Sequence, residues 1–127
     1  MSMNPEIKQQ WVAALRSGEY RQGKHVLHNV DENTYCCLGV LCDLAVKAGV
    51  IQLGAVDYNS EVDGDVQAYG GAGDKTTLPL SVQEWACLDD FNPDVIDNEG
   101  DESSLAGLND EKNYTFEQLA DLIEDQL

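Results

Sequence analysis

The sequence predicts a small α+β domain that is mostly helical, with about four helices and one or two short β-hairpins, and that occupies residues 1–127 as a single domain. Four stretches carry apolar residues at helical spacing beside capping residues, and a turn sequence near residue 31 separates two extended segments. With 127 residues and 43% hydrophobic side chains, the chain is long enough to bury its own core.

The first helix begins at Asn4, Pro5 and Glu6, which supply an N-cap, a proline at the first helical position and an acid in the first turn. Apolar residues then recur at helical spacing as far as Leu15. Gly18 suits a C-terminal cap, so we expect the helix to end just before it.

A hairpin and a buried helix are predicted next. Extended segments at 25–30 and 34–37 flank turn chemistry at 31–33, which indicates a short β-hairpin. Residues 38–48 return to helical periodicity and are apolar over most of their surface, and Gly49 follows as a stop. We therefore expect 38–48 to be the central buried helix.

Three of the four cysteines, Cys36, Cys37 and Cys42, lie in the run YCCLGVLCDL at 35–44. Adjacent residues of an extended chain point to opposite sides, whereas the thiolate pairs of zinc sites usually sit two to four residues apart. A reactive thiolate needs an electropositive, partly exposed setting, which this apolar run does not offer. The pattern favours small core residues over metal ligands, disulfides or a nucleophile.

Two loops and two further helices complete the prediction. We expect a long loop at about 54–77, with a second hairpin around 66–69 and 75–78, and a solvated loop at 89–102, where seven of fourteen residues are acidic. A capping-box pattern starts a short helix at Ser81, and a second one at Thr115 starts a helix that runs to the C-terminus.

The net charge of −17 excludes nucleic acid and anionic membranes as direct partners and favours basic protein surfaces. The charge is uneven: residues 1–30 carry four cations against two acids, whereas 31–127 carry three cations against 22 acids. Neither a secretory signal nor a long apolar run is visible, so we expect a soluble, cytoplasmic protein.

Several motifs occur together: the run WVAALRSGEYRQG at 11–23, the run at 35–44, the triplet LND at 108–110, and the pattern TFEQLADLIE at 115–124. This arrangement resembles a widespread group of small, mostly uncharacterised proteins of tailed bacteriophages and prophages. The resemblance covers most of the chain except 54–76 and the acidic loop. It implies a phage accessory protein made inside an infected cell, where such proteins often counter host defence, and it supplies no catalytic residues.

The predicted ligand site is the basic segment that follows the first helix. Arginine offers a fork of donors for phosphate, lysine a point charge, and an aromatic ring a surface for a base. The residues predicted to bind such a ligand are Trp11, Arg16, Ser17, Tyr20, Arg21, Lys24, His25 and Asn109. The alternative is that these cations pair with the acidic coat and that Asn109 is a turn former.

A rival site is the acidic face of the last helix, which comprises Glu117, Asp121, Glu124 and Asp125. With the 89–102 loop, these carboxylates could imitate DNA, which carries a negative charge about every 1.7 Å of axis. The alternative is a solvated face that keeps the protein soluble.

No enzyme, metal or cofactor is predicted. The two histidines lie three apart in a predicted strand and face opposite ways, and no nucleophile or zinc-protease motif is present. Residues 59–64 imitate the first half of an EF-hand loop, but position 12 of that loop is Gly70 and no flanking helices are predicted.

Two functional hypotheses follow. The first is a protein that sequesters a small phosphorylated nucleotide, such as a host immune signal, without turnover. A homo-oligomer suits it, because few residues of one chain could enclose the ligand. The second is an acidic inhibitor, or DNA mimic, that covers a basic host nuclease or another DNA-binding defence protein.

Overall fold

The computed structural model of the chain describes residues 3–127, which form five helices and six strands and confirm the predicted α+β class. The helices are α1 (Pro5–Arg16), α2 (Cys37–Lys47), α3 (Leu80–Ala86), α4 (Leu105–Asp110) and α5 (Phe116–Gln126). The strands are β1 (His28–Asn29), β2 (Thr34–Tyr35), β3 (Leu53–Asn59), β4 (Gly64–Tyr69), β5 (Asp94–Ile96) and β6 (Glu102–Ser104).

The strands form two antiparallel sheets. The larger sheet has the order β2-β1-β4-β3, so β3 is an edge strand, and the smaller sheet is the β5–β6 hairpin. Helix α1 packs on α2 and α5 around the hydrophobic core, and α2 also contacts β2 of the larger sheet.

The capping predictions hold at both ends of the chain. The Asn4 side chain accepts hydrogen bonds from the amides of Glu6 and Ile7, and Gly18 adopts a φ of +79° just past the end of α1. At α5 the Thr115 hydroxyl accepts from the Gln118 amide, and the Gln118 side chain accepts from the Thr115 amide, which completes the predicted capping box.

Helix α2 is the central buried helix, as predicted, and its glycine explains how closely it approaches the sheet. A Cβ atom built on Gly39 would lie 1.8 Å from the carbonyl oxygen of Leu27, just before β1. A glycine is therefore required here, although glycine lowers the stability of most helix interiors.

The cysteines occupy the core, as the sequence favours. Cys36, Cys37 and Cys42 are buried and unpaired, and only Cys87 is exposed. Burial raises the pKa of the Cys36 thiol to about 12, which keeps the thiol protonated and unreactive at neutral pH.

Three predictions about the second half of the chain are wrong. Strand β4 pairs with β3 in place of 75–78, so most of the predicted 54–77 loop is a hairpin. The acidic 89–102 loop contains strand β5 and the start of β6, in which Val95 is buried between the exposed residues Asp94 and Ile96. Helix α3 begins at Leu80 without a side-chain cap, and helix α4, at 105–110, was not predicted.

Among residues 3–127, no helix has both the length and the apolar character needed to cross a membrane.

We predict that Gly39→Ala destabilises the protein by about 3 kcal/mol, because the added methyl group would overlap a backbone oxygen that cannot move aside alone. Urea unfolding monitored by circular dichroism measures the change. Gly71→Ala is the control, since no atom lies within 4 Å of its added Cβ, and it should change the free energy of unfolding by less than about 0.5 kcal/mol. Equal stability of the two variants would contradict the close approach.

Candidate functional site

Arg16, the first cation of the predicted ligand site, joins the two rival sites. Its guanidinium donates to the Asp121 carboxylate at 2.6 Å and to Glu124 at 3.2 Å. These hydrogen bonds raise the pKa of Arg16 above its ordinary value. Arg16, which was predicted to bind phosphate, is thus engaged with the predicted acidic face. The alternative interpretation, in which the cations pair with the acidic coat, expects this contact.

Ser17 is engaged by the end of its own helix. Its hydroxyl donates to the Ala14 carbonyl oxygen at 2.7 Å and accepts from the Glu19 amide at 3.1 Å. The side chain completes the turn after α1, so the prediction that it contacts a ligand has no support from its geometry.

Trp11 is fully buried, and the prediction that it packs on a base is wrong. Its indole nitrogen donates to the Cys37 carbonyl oxygen at 2.9 Å, inside the contact between α1 and α2. The apolar stripe of α1 places this ring in the core, where a ligand has no access.

Asn109 is also fully buried, which makes its assignment as a ligand-binding residue wrong. Its amide nitrogen donates to the Gly23 carbonyl at 2.9 Å and to the Asp110 carboxylate at 2.8 Å, and its amide oxygen accepts from the Gln22 side chain at 2.8 Å. All its polar atoms have partners within the protein, so Asn109 holds the 22–23 segment against α4.

Gln22 extends this network towards α5. Its side-chain nitrogen donates to the Tyr114 carbonyl at 2.7 Å, and its oxygen accepts from the Phe116 amide at 3.1 Å. No sequence signal marks this residue, because nothing in a lone glutamine within a loop distinguishes a half-buried, hydrogen-bonded side chain from a solvated one.

Lys24 and His25 lie on the surface beside the same loop. The ammonium group of Lys24 donates to the Asn113 side chain. The backbone amide of His25 donates to the Asp110 carboxylate at 2.9 Å, and its φ is +74°. Among residues 3–127, no contact brings either side chain together with Arg16. The predicted basic segment therefore does not form one phosphate-binding cluster.

Two predicted residues, Tyr20 and Arg21, do share a cavity of about 490 Å³. We call it the aromatic cleft. It is lined by Gly18, Glu19, Tyr20, Arg21, Glu32, Asn33 and Tyr35. The Tyr20 ring meets the Tyr35 ring edge-on, with 5.1 Å between the centroids.

The polar groups of the aromatic cleft differ in whether they have hydrogen-bond or ion-pair partners. The Tyr20 hydroxyl donates to Asp43 and accepts from Lys47 at 3.1 Å, and burial followed by the Asp43 hydrogen bond raises its pKa. Arg21 is exposed and forms no ion pair within residues 3–127. Because Glu19 and Glu32 also line the cavity, one cation faces two carboxylates there.

The second candidate site is a surface where α5 meets the β5–β6 hairpin. The Gln126 side chain accepts from the Ile96 amide at 2.7 Å and donates to the Ile96 carbonyl at 2.8 Å, so it pairs with β5 as another strand would. We call the exposed carboxylates of these two elements the acidic platform. They are Asp94, Glu99, Asp101, Glu102, Glu117, Asp121, Glu124 and Asp125.

Asp97 fixes the turn of the β5–β6 hairpin, although it is not itself part of the platform. Its carboxylate is inaccessible and accepts from the amides of Glu99 and Asp101, the Ser103 hydroxyl and the Lys112 ammonium, at 2.9–3.0 Å. The Lys112 hydrogen bond, and then those of the turn, hold the pKa of Asp97 well below its ordinary value. In the sequence, Asp97 is one of the seven acids of the predicted 89–102 surface loop. However, the run DNEG at 97–100, in which an aspartate is followed closely by asparagine and glycine, is typical of an Asx turn.

No three histidine, cysteine or acidic side chains of residues 3–127 lie together as metal ligands would. The EF-hand-like run at 59–64 forms the β3–β4 turn, in which Asp63 has a φ of +50°.

The comparisons with known proteins give one match. Residues 3–127 match the family model described as "Domain of unknown function (DUF8296)". Neither the curated proteins nor the solved structures contain a match to this chain.

We predict that Asp97→Asn destabilises the protein most at neutral pH and progressively less in acid. The folded-state pKa of Asp97 is lowered, so its stabilising effect is present above the pKa of about 3.9 in the unfolded chain and is lost as the pH falls below that value. Urea unfolding at a series of pH values measures the gap between the two proteins. Asp125→Asn is the control, because Asp125 is exposed and has no side-chain partner in the described part of the chain, 3–127. A gap for Asp97→Asn that does not change with pH would contradict the assignment.

Proposed function

The chain belongs to the family defined by the domain of unknown function DUF8296, and we propose that it is a non-enzymatic binding protein that presents the acidic platform to a basic surface of another protein. The resemblance to small proteins of tailed phages and prophages supports a setting in the cytoplasm of an infected cell. The proposed target is a host defence protein that binds DNA, such as a nuclease.

The observation that carries this proposal is the junction of two acidic segments through Gln126 and Ile96. Four carboxylates of α5 and four of the β5–β6 hairpin lie on elements that are bonded to each other, and we infer that they act on a partner as one field of negative charge. A DNA-binding groove is built to accept such a surface, since DNA presents a negative charge about every 1.7 Å of its axis.

The platform is also held in place before any partner arrives. Asp97 receives four hydrogen bonds inside the turn of the β5–β6 hairpin, which hold that half of the platform in one conformation. A rigid surface loses less conformational entropy on binding, so more of the electrostatic attraction appears as affinity.

The surplus of acids elsewhere explains why a basic partner is favoured over an anion. Arg16, Lys47, Lys75 and Lys112 each form ion pairs within the protein. Within the predicted positive segment, 1–30, Arg16 is neutralised in this way by two carboxylates, so its charge no longer favours a nucleotide over a protein.

We predict that reversing Glu102, Glu117 and Asp125 to lysine weakens the inhibition of a target nuclease by about tenfold or more. These three carboxylates have no side-chain partner among residues 3–127, so the reversal should leave the fold intact. The assay is cleavage of a linear DNA duplex by purified defence nucleases of a bacterial host. Inhibition should also weaken between about 0.1 M and about 1 M salt, where the Debye length falls from about 10 Å to about 3 Å.

The matched control reverses Glu19, Glu84 and Glu111 to lysine, which changes the net charge equally at exposed positions outside the platform. Arg16→Ala is a second variant, because it frees two platform carboxylates and should strengthen inhibition by a few fold. Equal inhibition by both triple variants would refute the platform, and so would the absence of any inhibited nuclease.

A second function, sequestration of a small phosphorylated nucleotide, is favoured by one specific observation. Arg21 has no ion-pair partner within the described residues, 3–127, and lines the aromatic cleft with the Tyr20 and Tyr35 rings. A free guanidinium beside an aromatic surface can bind phosphate and base together. A homo-oligomer would add donors from another copy and so offset Glu19 and Glu32.

We predict that, if this cleft binds a nucleotide, Arg21→Ala abolishes the rise in melting temperature that the nucleotide causes, whereas Arg16→Ala retains it. A ligand at 100 times its dissociation constant stabilises the protein by about 2.7 kcal/mol, which raises the melting temperature by several degrees. The panel comprises cyclic di- and trinucleotides, ADP-ribose derivatives and mononucleotides. No shift with any of them would eliminate this second function and leave the acidic platform.

A further inference from the structure

Strand β3 is a long, unprotected sheet edge. Its seven residues pair with β4 on one side only, and three of its large apolar side chains are exposed: Leu53 at 55%, Val56 at 47% and Tyr58 at 63%. Proteins usually protect such an edge with lysine, proline or a short strand, because it can pair with another chain. Between Val56 and Asn59, β3 contains no lysine and no proline. Its only irregularity is a bulge between Leu53 and Val56.

The register of the sheet shows which backbone groups point outward. The Asp65 carbonyl accepts from the Val30 amide, so Asp65 and Gln67 of β4 direct their backbone groups towards β1. Their neighbour Val66 therefore directs its groups towards β3, where its partner is Asp57.

Since backbone groups alternate along a strand, Val56 and Tyr58 direct their amides and carbonyls away from β4, to the open edge. None of these four groups bonds to another backbone group in residues 3–127. The residues with free backbone groups thus also carry the exposed apolar side chains.

The two faces of this edge differ in chemistry. Val56 and Tyr58 lie on one face, and Asp57 lies on the other, where it is exposed and, among residues 3–127, forms an ion pair with Lys75 at 3.7 Å. Glu61 and Asp63 follow in the exposed β3–β4 turn, where Asp63 accepts a hydrogen bond from the Tyr58 hydroxyl at 2.6 Å. A strand placed beside β3 would therefore meet the exposed Val56 and Tyr58 rows on one face, the Asp57 carboxylate on the other, and further negative charge at the turn.

We propose that β3 is a docking edge for an extended segment of a partner protein in which apolar and basic side chains alternate. Such a segment would extend the sheet by bonding to the free backbone groups of Val56 and Tyr58. Its apolar residues would cover those two side chains, and its basic residues would face Asp57 and the turn.

Charge selects this occupant over a second copy of the chain. An antiparallel pair of β3 strands centred on Asp57 would place two carboxylates opposite each other, and like charges in that position destabilise a sheet. Each copy also carries a net charge of −17. A basic segment meets the same edge with attraction in place of repulsion.

The test uses a short capped peptide of alternating valine and lysine, with the same peptide N-methylated at every amide as its control. Amide hydrogen exchange followed by NMR reports on Val56 and Tyr58. Saturating unmethylated peptide should slow exchange of these two amides about tenfold, and the methylated peptide should not, because it cannot donate to a strand edge. Equal effects of the two peptides, or no slowing by either, would overturn the proposal.

Paired variants locate the binding site. Val56→Lys with Tyr58→Lys should lower the affinity for the peptide about tenfold or more, whereas Leu80→Lys with Phe91→Lys, at exposed apolar positions away from the edge, should not. Equal losses in both pairs would reduce the binding to general charge attraction and refute the docking edge.

Two further measurements distinguish the β3 edge from the acidic platform and from a dimer interface. The lysine reversals at Glu102, Glu117 and Asp125 should leave the exchange of Val56 and Tyr58 under peptide unchanged, since they lie on the acidic platform; loss of protection there would refute an independent edge. Sedimentation velocity that detects a dimer, abolished by Val56→Lys with Tyr58→Lys, would assign the edge to a second copy and overturn the basic occupant.

Discussion

A pair of amides, the half-buried Gln22 and the buried Asn109, is the interaction on which the arrangement of this protein depends. The two side chains join the loop after α1 to α4 and to the start of α5, through hydrogen bonds of 2.7–3.1 Å. An unsatisfied polar group in such a setting would cost about 1–3 kcal/mol, so each amide requires the other. The loop that the sequence marks as a ligand site is therefore first of all a structural tie between the two ends of the chain.

The same tie decides how the charges are used. With α1 and α5 held side by side, Arg16 reaches the carboxylates of Asp121 and Glu124, and the two candidate sites of the sequence neutralise each other in part. The remaining acids are then unbalanced, and six of them lie exposed on the β5–β6 hairpin and α5. Charge composition alone cannot show this, because it depends on which helices are neighbours.

Features set by local sequence were predictable, and features set by distant contacts were not. The caps at Asn4 and Thr115 and the burial of α2 follow from short patterns, and the structure confirms them. The predicted partner of β4, 75–78, was wrong. Two short extended segments could each pair with this strand, and only the complete fold selects β3. Trp11 and Asn109 were misassigned because residue types that bind ligands also fill cores and close networks.

The large net charge and the open edge of β3 are best understood together. An edge with Val56 and Tyr58 exposed would promote aggregation in a neutral protein, since any similar strand could pair with it. At −17, copies of this chain repel one another, and Asp57 adds local repulsion at the centre of the edge. The negative charge thus disfavours pairing between the β3 edges of two copies, whereas it attracts the basic strand that we propose as the partner. The same charge therefore opposes aggregation and selects the partner.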